Sequence, residues 1–184
     1  MPAPNAGQPQ GVAPTYRDVR VCKMLRINIP GRGEYELEHL VLDYNGTIAL
    51  DGELLPGVAD RIVNLSKHLH IHVLTADTFG TVRKSLSRLP CTVSVIKAGD
   101  REDLEKLDYL RRLNPDNCVA IGNGANDRLM LSHAAIGICV IQQEGSAFDA
   151  IKSADVVCNS VIDALDLLVY PSRLIATLRG CPLD

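Results

Sequence analysis

The 184-residue sequence has no tryptophan, two phenylalanines and five tyrosines, so aromatics make up 4% of it. Its core must therefore be aliphatic, and 46% hydrophobic residues with 22% charged is ordinary for one globular domain. No apolar run approaches the roughly 18 residues that suggest a membrane span. The start, Met1-Pro2-Ala3-Pro4-Asn5, has neither a basic segment nor an apolar one. The expectation is a cytoplasmic protein without a membrane partner. Net charge is small: a formal −3 gives no general attraction to nucleic acid or anionic lipid. The six cysteines include no CxxC pair, which argues against a disulfide framework and against a zinc site.

What is present is alternation. Residues 1–23 carry Pro2, Pro4, Pro9 and Pro14 among small and polar residues, and read as a flexible extension preceding one domain over 24–184. A β-hairpin is expected over 24–38, turning at Pro30-Gly31-Arg32-Gly33. His39-Leu40-Val41-Leu42-Asp43 follows as a strand buried on both faces that ends on a carboxylate. Further strands are expected at 71–74, 91–96, 119–121, 137–141 and 155–158. Helices are expected from 58 to 65 and over 79–89, 101–113, 128–135 and 162–178. Such βα alternation implies an α/β fold with a mainly parallel sheet covered on both faces. Ligands in these sheets bind beyond the carboxyl ends of the strands. Asp43, Thr75 and the loop Gly122-Asn123-Gly124-Ala125-Asn126-Asp127 all fall at such ends.

Those three clusters contain what a carboxylate attacking a phosphoryl group requires. Two anions repel, so the site needs a divalent cation together with hydroxyl, amide and ammonium donors. Asp43 supplies the carboxylate, Gly46 a tight turn, Thr47 and Thr75 hydroxyls, Lys106 or Lys97 the ammonium, and Asn126 and Asp127 oxygen ligands.

In these motifs the sequence resembles the haloacid dehalogenase (HAD) superfamily, whose first motif, DxDGT, appears here as Asp43-Tyr44-Asn45-Gly46-Thr47. Thr75 matches the second motif, Lys106 in Leu104-Glu105-Lys106-Leu107 the third, with Lys97 in reserve, and Gly122 to Asp127 the fourth, GDGxND. Leu74-Thr75-Ala76-Asp77 looks more like the TGD of P-type ATPases, and the resemblance, over about 24–179, is closest to soluble, capless P-type-ATPase-like proteins. It implies a three-layer Rossmann-like core and a Mg²⁺-dependent phosphatase or phosphohydrolase acting on a small phosphorylated substrate. Asp43 would be phosphorylated and would bind Mg²⁺ with the Asn45 carbonyl, Asp127 and Asn123. Thr75 and Lys106, with Gly46 and Ala76, would surround the phosphoryl group, while Thr47 and Asn126 would support the loops.

Two departures bear on mechanism. Asn45 stands where family phosphatases carry an aspartate that protonates the leaving oxygen and then activates water, and an amide does neither. Asn123 removes another negative charge from the cation's surroundings. Slow turnover of a phosphoaspartate is one expectation, and the runner-up is a non-catalytic or regulatory module that binds phosphate or nucleotide. No cap domain fits between Asp43 and Thr75 or between Thr75 and Lys106; capless relatives cover the site with a neighbouring subunit or accept large substrates, so the resemblance implies a homo-oligomer. The plainer readings are that Asp43 and Thr75 are turn or cap residues and Lys106 a solvated helix residue; four motifs in order outweigh them. His68, His70 and His72 alternate but lack a further convergent ligand. Glu144-Gly145 fits a plain turn as well as a border to the crevice.

Overall fold

The structure, a computed structural model, describes residues 23–77, 80–97, 99 and 101–180. The proposed extension over 1–23 lies outside the described residues except for Lys23. Strands β1 (Leu25–Ile29) and β2 (Gly33–Leu37) form the expected antiparallel hairpin, with Leu25 opposite Leu37 and Ile29 opposite Gly33. Strand β3 (His39–Asp43) then enters a six-stranded parallel sheet.

Between β3 and the next sheet strand one feature went unanticipated and one is as expected. Strands β4 (Ala49–Leu50) and β5 (Glu53–Leu54) make a small flap, too short for periodicity to announce, and α1 (Val58–Leu65) follows. Next come β6 (His70–Thr75), α2 (Thr81–Ser85), β7 (Cys91–Val95), α3 (Glu102–Arg112), β8 (Cys118–Gly122), α4 (Arg128–His133) and β9 (Ile136–Val140). Helix α5 (Phe148–Ser153) was not expected, and β10 (Val156–Cys158) follows it. The single helix expected over 162–178 is two, α6 (Val161–Val169) and α7 (Pro171–Leu178). Pro171 divides them, because it donates no main-chain hydrogen bond and disfavours helical backbone at Tyr170. The helix expected over 79–89 is likewise only one turn and a half, in α2.

The spatial strand order is β10-β9-β8-β3-β6-β7, so successive crossovers from β3 run first to one side and later to the other. Alternate residues of β3 feed different layers. Leu40 and Leu42 join α1, α6 and α7 side chains such as Ile62, Leu165 and Leu174; Val41 joins Leu110 of α3, Met130 of α4 and Ala150 of α5. This is the three-layer Rossmann-like core, and no cap domain interrupts it among the described residues. The reversal of strand order beside β3 opens a crevice at its carboxyl end, where Asp43 sits.

Candidate active site

Asp43 closes β3 and is 8% exposed; Asp127 lies in the turn before α4 and is fully buried. Lys106, one turn into α3 and 1% exposed, reaches between them. Its Nζ donates to Asp43 Oδ1 at 2.6 Å and to Asp127 Oδ1 at 2.5 Å. Lys97, the reserve candidate, is exposed, so the geometry selects Lys106. Asp127 is oriented from its other side, where Oδ2 accepts the main-chain N–H groups of Asn123 at 2.9 Å and Gly124 at 2.8 Å.

The electrostatics follow from burial around a single cation. Burial pushes the Asp43 carboxyl up to about 6, with the Lys106 charge working against the shift and Asp127 adding to it. Burial also works against the Lys106 charge, but the two carboxylates overcome it and hold the ammonium above its ordinary range. Two carboxylates and one ammonium leave one net negative charge in a nearly dry place, an arrangement that attracts a further cation.

Asp43, Asn45, Thr75, Ala76, Lys106, Asn123 and Asn126 all line one cavity of about 230 Å³. That is below the roughly 300–1,000 Å³ of sites that engulf drug-sized ligands. It suits a phosphoryl group entering alone from a substrate that stays outside. The Thr75 hydroxyl accepts the Asp77 N–H at 3.1 Å, which aims it at the end of the strand. Buried Thr47 donates to Asn123 Oδ1 at 3.2 Å and so ties the Asp43 turn to the Asp127 turn. Asn126 donates to Glu102 Oε2 at 2.8 Å. Gly46 differs from expectation: its N–H is already given to Ala49 O at 2.8 Å, so what it contributes is space rather than a donor.

The oxygen set suits a hard divalent cation. Among the described residues no group of three or more His, Cys, Asp or Glu side chains is arranged to hold a metal by itself. A cation here would thus take amide, main-chain and water oxygens beside the two carboxylates, which is how Mg²⁺ is bound, with several of its waters retained. The histidines lie elsewhere, near the amino ends of the strands. There His39, not His68, approaches His72, with Nδ1 and Nε2 3.0 Å apart, and His72 Nδ1 meets Tyr109 OH at 2.9 Å.

Sequence reasoning missed three contributors: Gln142 holds the turn after Asp43, Glu102 lines the cavity, and Asp103, 8% exposed, takes Arg128 at 2.6 Å beneath the Asn126 turn. Glu144, whose place just beyond the strand ending near Ile141 fitted a crevice border as well as a plain turn, lines the cavity too.

Comparison with known proteins bears on the family and the fold. A family model described as haloacid dehalogenase-like hydrolase matches residues 101–163. An uncharacterised protein of Methanocaldococcus jannaschii is 48% identical over 77 residues, which cover 41% of this chain and 83% of that one. The structure of 3-deoxy-D-manno-octulosonate 8-phosphate phosphatase from Moraxella catarrhalis, in complex with magnesium, phosphate and the sugar acid, superposes with a TM-score of 0.57. That match has 14% identity and covers 78% of this chain and 94% of that one. A zinc-transporting PIB-type ATPase in the E2P state gives a TM-score of 0.54 at 20% identity, over 67% of this chain and 20% of that one.

Proposed function

We propose that the chain is a haloacid dehalogenase-like hydrolase, the family whose model matches residues 101–163, and that it is a Mg²⁺-dependent phosphatase working through a phosphorylated Asp43. The observation that carries this is Lys106 Nζ bridging Asp43 and Asp127 in a cavity that Thr75 also lines. Asp43 attacks phosphorus in line; the Asp43 oxygen–phosphorus bond forms as the bond to the leaving oxygen breaks, and the leaving group departs with that electron pair. Water then displaces the carboxylate from phosphorus, releasing orthophosphate and regenerating Asp43. Lys106 and the Thr75 hydroxyl offset charge on the phosphoryl oxygens, while the Ala76 segment borders them. The Asn45 carbonyl, Asp43, Asp127 and Asn123 are the residues that would hold Mg²⁺, which supplies charge neutralisation between nucleophile and phosphate.

Asn45 has no proton to give the leaving oxygen and no lone pair basic enough to activate water. The first step therefore favours substrates whose leaving group departs without help, such as anhydrides and acyl phosphates. The second step is slow, and phosphoaspartate accumulates. Thr47 and Asn126 keep the two turns in place through their bonds to Asn123 and Glu102. The catalytic unit is 24–184, the substrate a small phosphorylated molecule, and the open mouth is covered in a homo-oligomer, which a size measurement in solution tests. No helix among the described residues is long and apolar enough to cross a membrane.

The test is incubation with Mg²⁺ and acetyl phosphate, a generic phosphate ester or ATP, followed by intact-mass analysis and phosphate release. A phosphoryl adduct on the wild type and none on Asp43→Ala is expected; an adduct or turnover that survives Asp43→Ala overturns the reading. The two amides at 45 and 123 favour a second reading, a module that binds phosphate without turnover. Mg²⁺-dependent binding of beryllium fluoride with neither adduct nor release would select it.

A further inference from the structure

The segment 141–147, between β9 and α5, stitches together the two turns that carry Asp43 and Asp127. On one side the Gln142 amide donates to Gly46 O at 2.8 Å and to Thr47 O at 2.6 Å, and its oxygen accepts the Val161 N–H at 3.0 Å. On the other, the Asn123 amide donates to Gly145 O at 3.1 Å, and Asn123 O accepts from Ser146 Oγ and from the Ala147 N–H, both at 2.9 Å. Gln142 has φ 51°, a left-handed backbone that a side chain other than glycine adopts at a cost. Its three hydrogen bonds offset that cost, so the loop is held in one shape from both sides.

Glu144 stands between these anchors. Gly46 has φ 74°, and a β-carbon there would lie 2.6 Å from Asn123 Nδ2 and 2.7 Å from Glu144 Oε2. The carboxylate of Glu144 thus lies beside the Asn123 amide, over the turn that follows Asp43, and the residue lines the same cavity as Asp43 and Lys106. Glycine at 46 is what lets the two side chains come this close.

We infer that Glu144 supplies, from a separate loop, the negative charge that Asn123 does not bring to the cation side of the site. The inference rests on the Mg²⁺-dependent reading above. Asp43 and Asp127 against Lys106 leave one net negative charge; Glu102 and Glu144 both line the cavity and add to it, and Glu144 is the one beside Asn123. Because Glu144 is exposed, water screens it. A charge a few ångströms away in such surroundings changes affinity about tenfold.

The experiment is calorimetric titration of the full chain with Mg²⁺ alone, for the wild type, Glu144→Gln, Asn123→Asp and the double variant. Glu144→Gln should weaken Mg²⁺ about tenfold, and adding Asn123→Asp should recover most of that loss, because the same charge returns to the same place. A merely structural role would not be rescued by a change at residue 123. Glu144→Gln binding Mg²⁺ as the wild type does, or a double variant as weak as Glu144→Gln, overturns the inference. Phosphorylation of Asp43 is followed in parallel. If the wild type neither binds Mg²⁺ nor forms the adduct, the underlying reading fails and this inference with it. Wild-type binding with no effect of Glu144→Gln sinks this inference alone.

Discussion

At the carboxyl ends of β3 and β6 the chain buries Asp43 and Thr75 against a lysine that is kept charged. At the amino ends of the same two strands it buries His72 and half-buries His39, both as neutral rings. The histidine end is a hydrogen-bonded chain, from His39 through His72 to Tyr109, whose hydroxyl also accepts from Ser94 Oγ at 3.1 Å. Burial pushes His72 down to about 4, helped by His39 and His70, and lowers His39 as well, so both rings are uncharged near neutrality. A larger cavity of about 500 Å³ opens there, lined by His39, His70 and His72 but by no carboxylate. Both ends satisfy their buried polar atoms, but only the carboxyl end leaves charge unbalanced. A neutral network stabilises without charge; an ionic cluster around one lysine costs desolvation and leaves a net negative charge at the strand ends.

The contrast can be broken most strongly at the carboxyl end. Asn45→Asp adds the missing acid and base, and should raise steady-state phosphate release by about 10²- to 10⁴-fold while lowering the standing level of adduct. An unchanged rate would mean that release is limited elsewhere. Lys106→Met leaves two buried carboxylates unpaired and should cost about 3–5 kcal/mol in urea unfolding with chelator present. Added Mg²⁺ should return part of that stability, since it substitutes for the lost positive charge.

Acid separates the two ends by sign. His72 titrates lower folded than unfolded, so its contribution is complete above about 6.5 and is lost as pH falls through about 4. At about 1.4 kcal/mol per pH unit the loss is roughly 3 kcal/mol. Asp43 titrates higher folded, at about 6 against 3.8, so metal-free protein gains stability there as pH falls through about 6. Unfolding curves between pH 7 and pH 4 should therefore flatten in His72→Gln and steepen in Asp43→Asn. Equal slopes in both variants and the wild type would remove the distinction. Tyr109→Phe should have the smallest effect, a loss of about 1 kcal/mol for the hydrogen bonds its hydroxyl makes, with phosphorylation of Asp43 unaffected.

Much of this was legible along the chain. The run 39–43 is apolar up to a carboxylate, and the turn chemistry of Gly46 and of Gly122 to Asp127 marks both loops at strand ends. Helices α1 and α3 announced themselves by spacing. Helix α5 and the β4–β5 flap did not, because six residues and two pairs of residues are too few to display a period, and their places are set by packing.

What the order of residues determined alone was the parallel sheet and the arrival of Asp43, Thr75 and the Asp127 loop at one side of it. Strand period and crossover length leave a buried run little other choice. The tertiary structure decided the partners. Whether Lys106 or Lys97 reaches Asp43 depends on which way α3 faces, and His39 replaces His68 in the histidine cluster because β3 and β6 pair with His39 opposite His70. Glu144 joins Asn123 because its loop is anchored on both sides, by Gln142 across 96 residues of chain to Gly46 and by Gly145 and Ser146 to Asn123 itself. Charges and hydrogen bonds act over a few ångströms, and those ångströms exist only once the layers have packed.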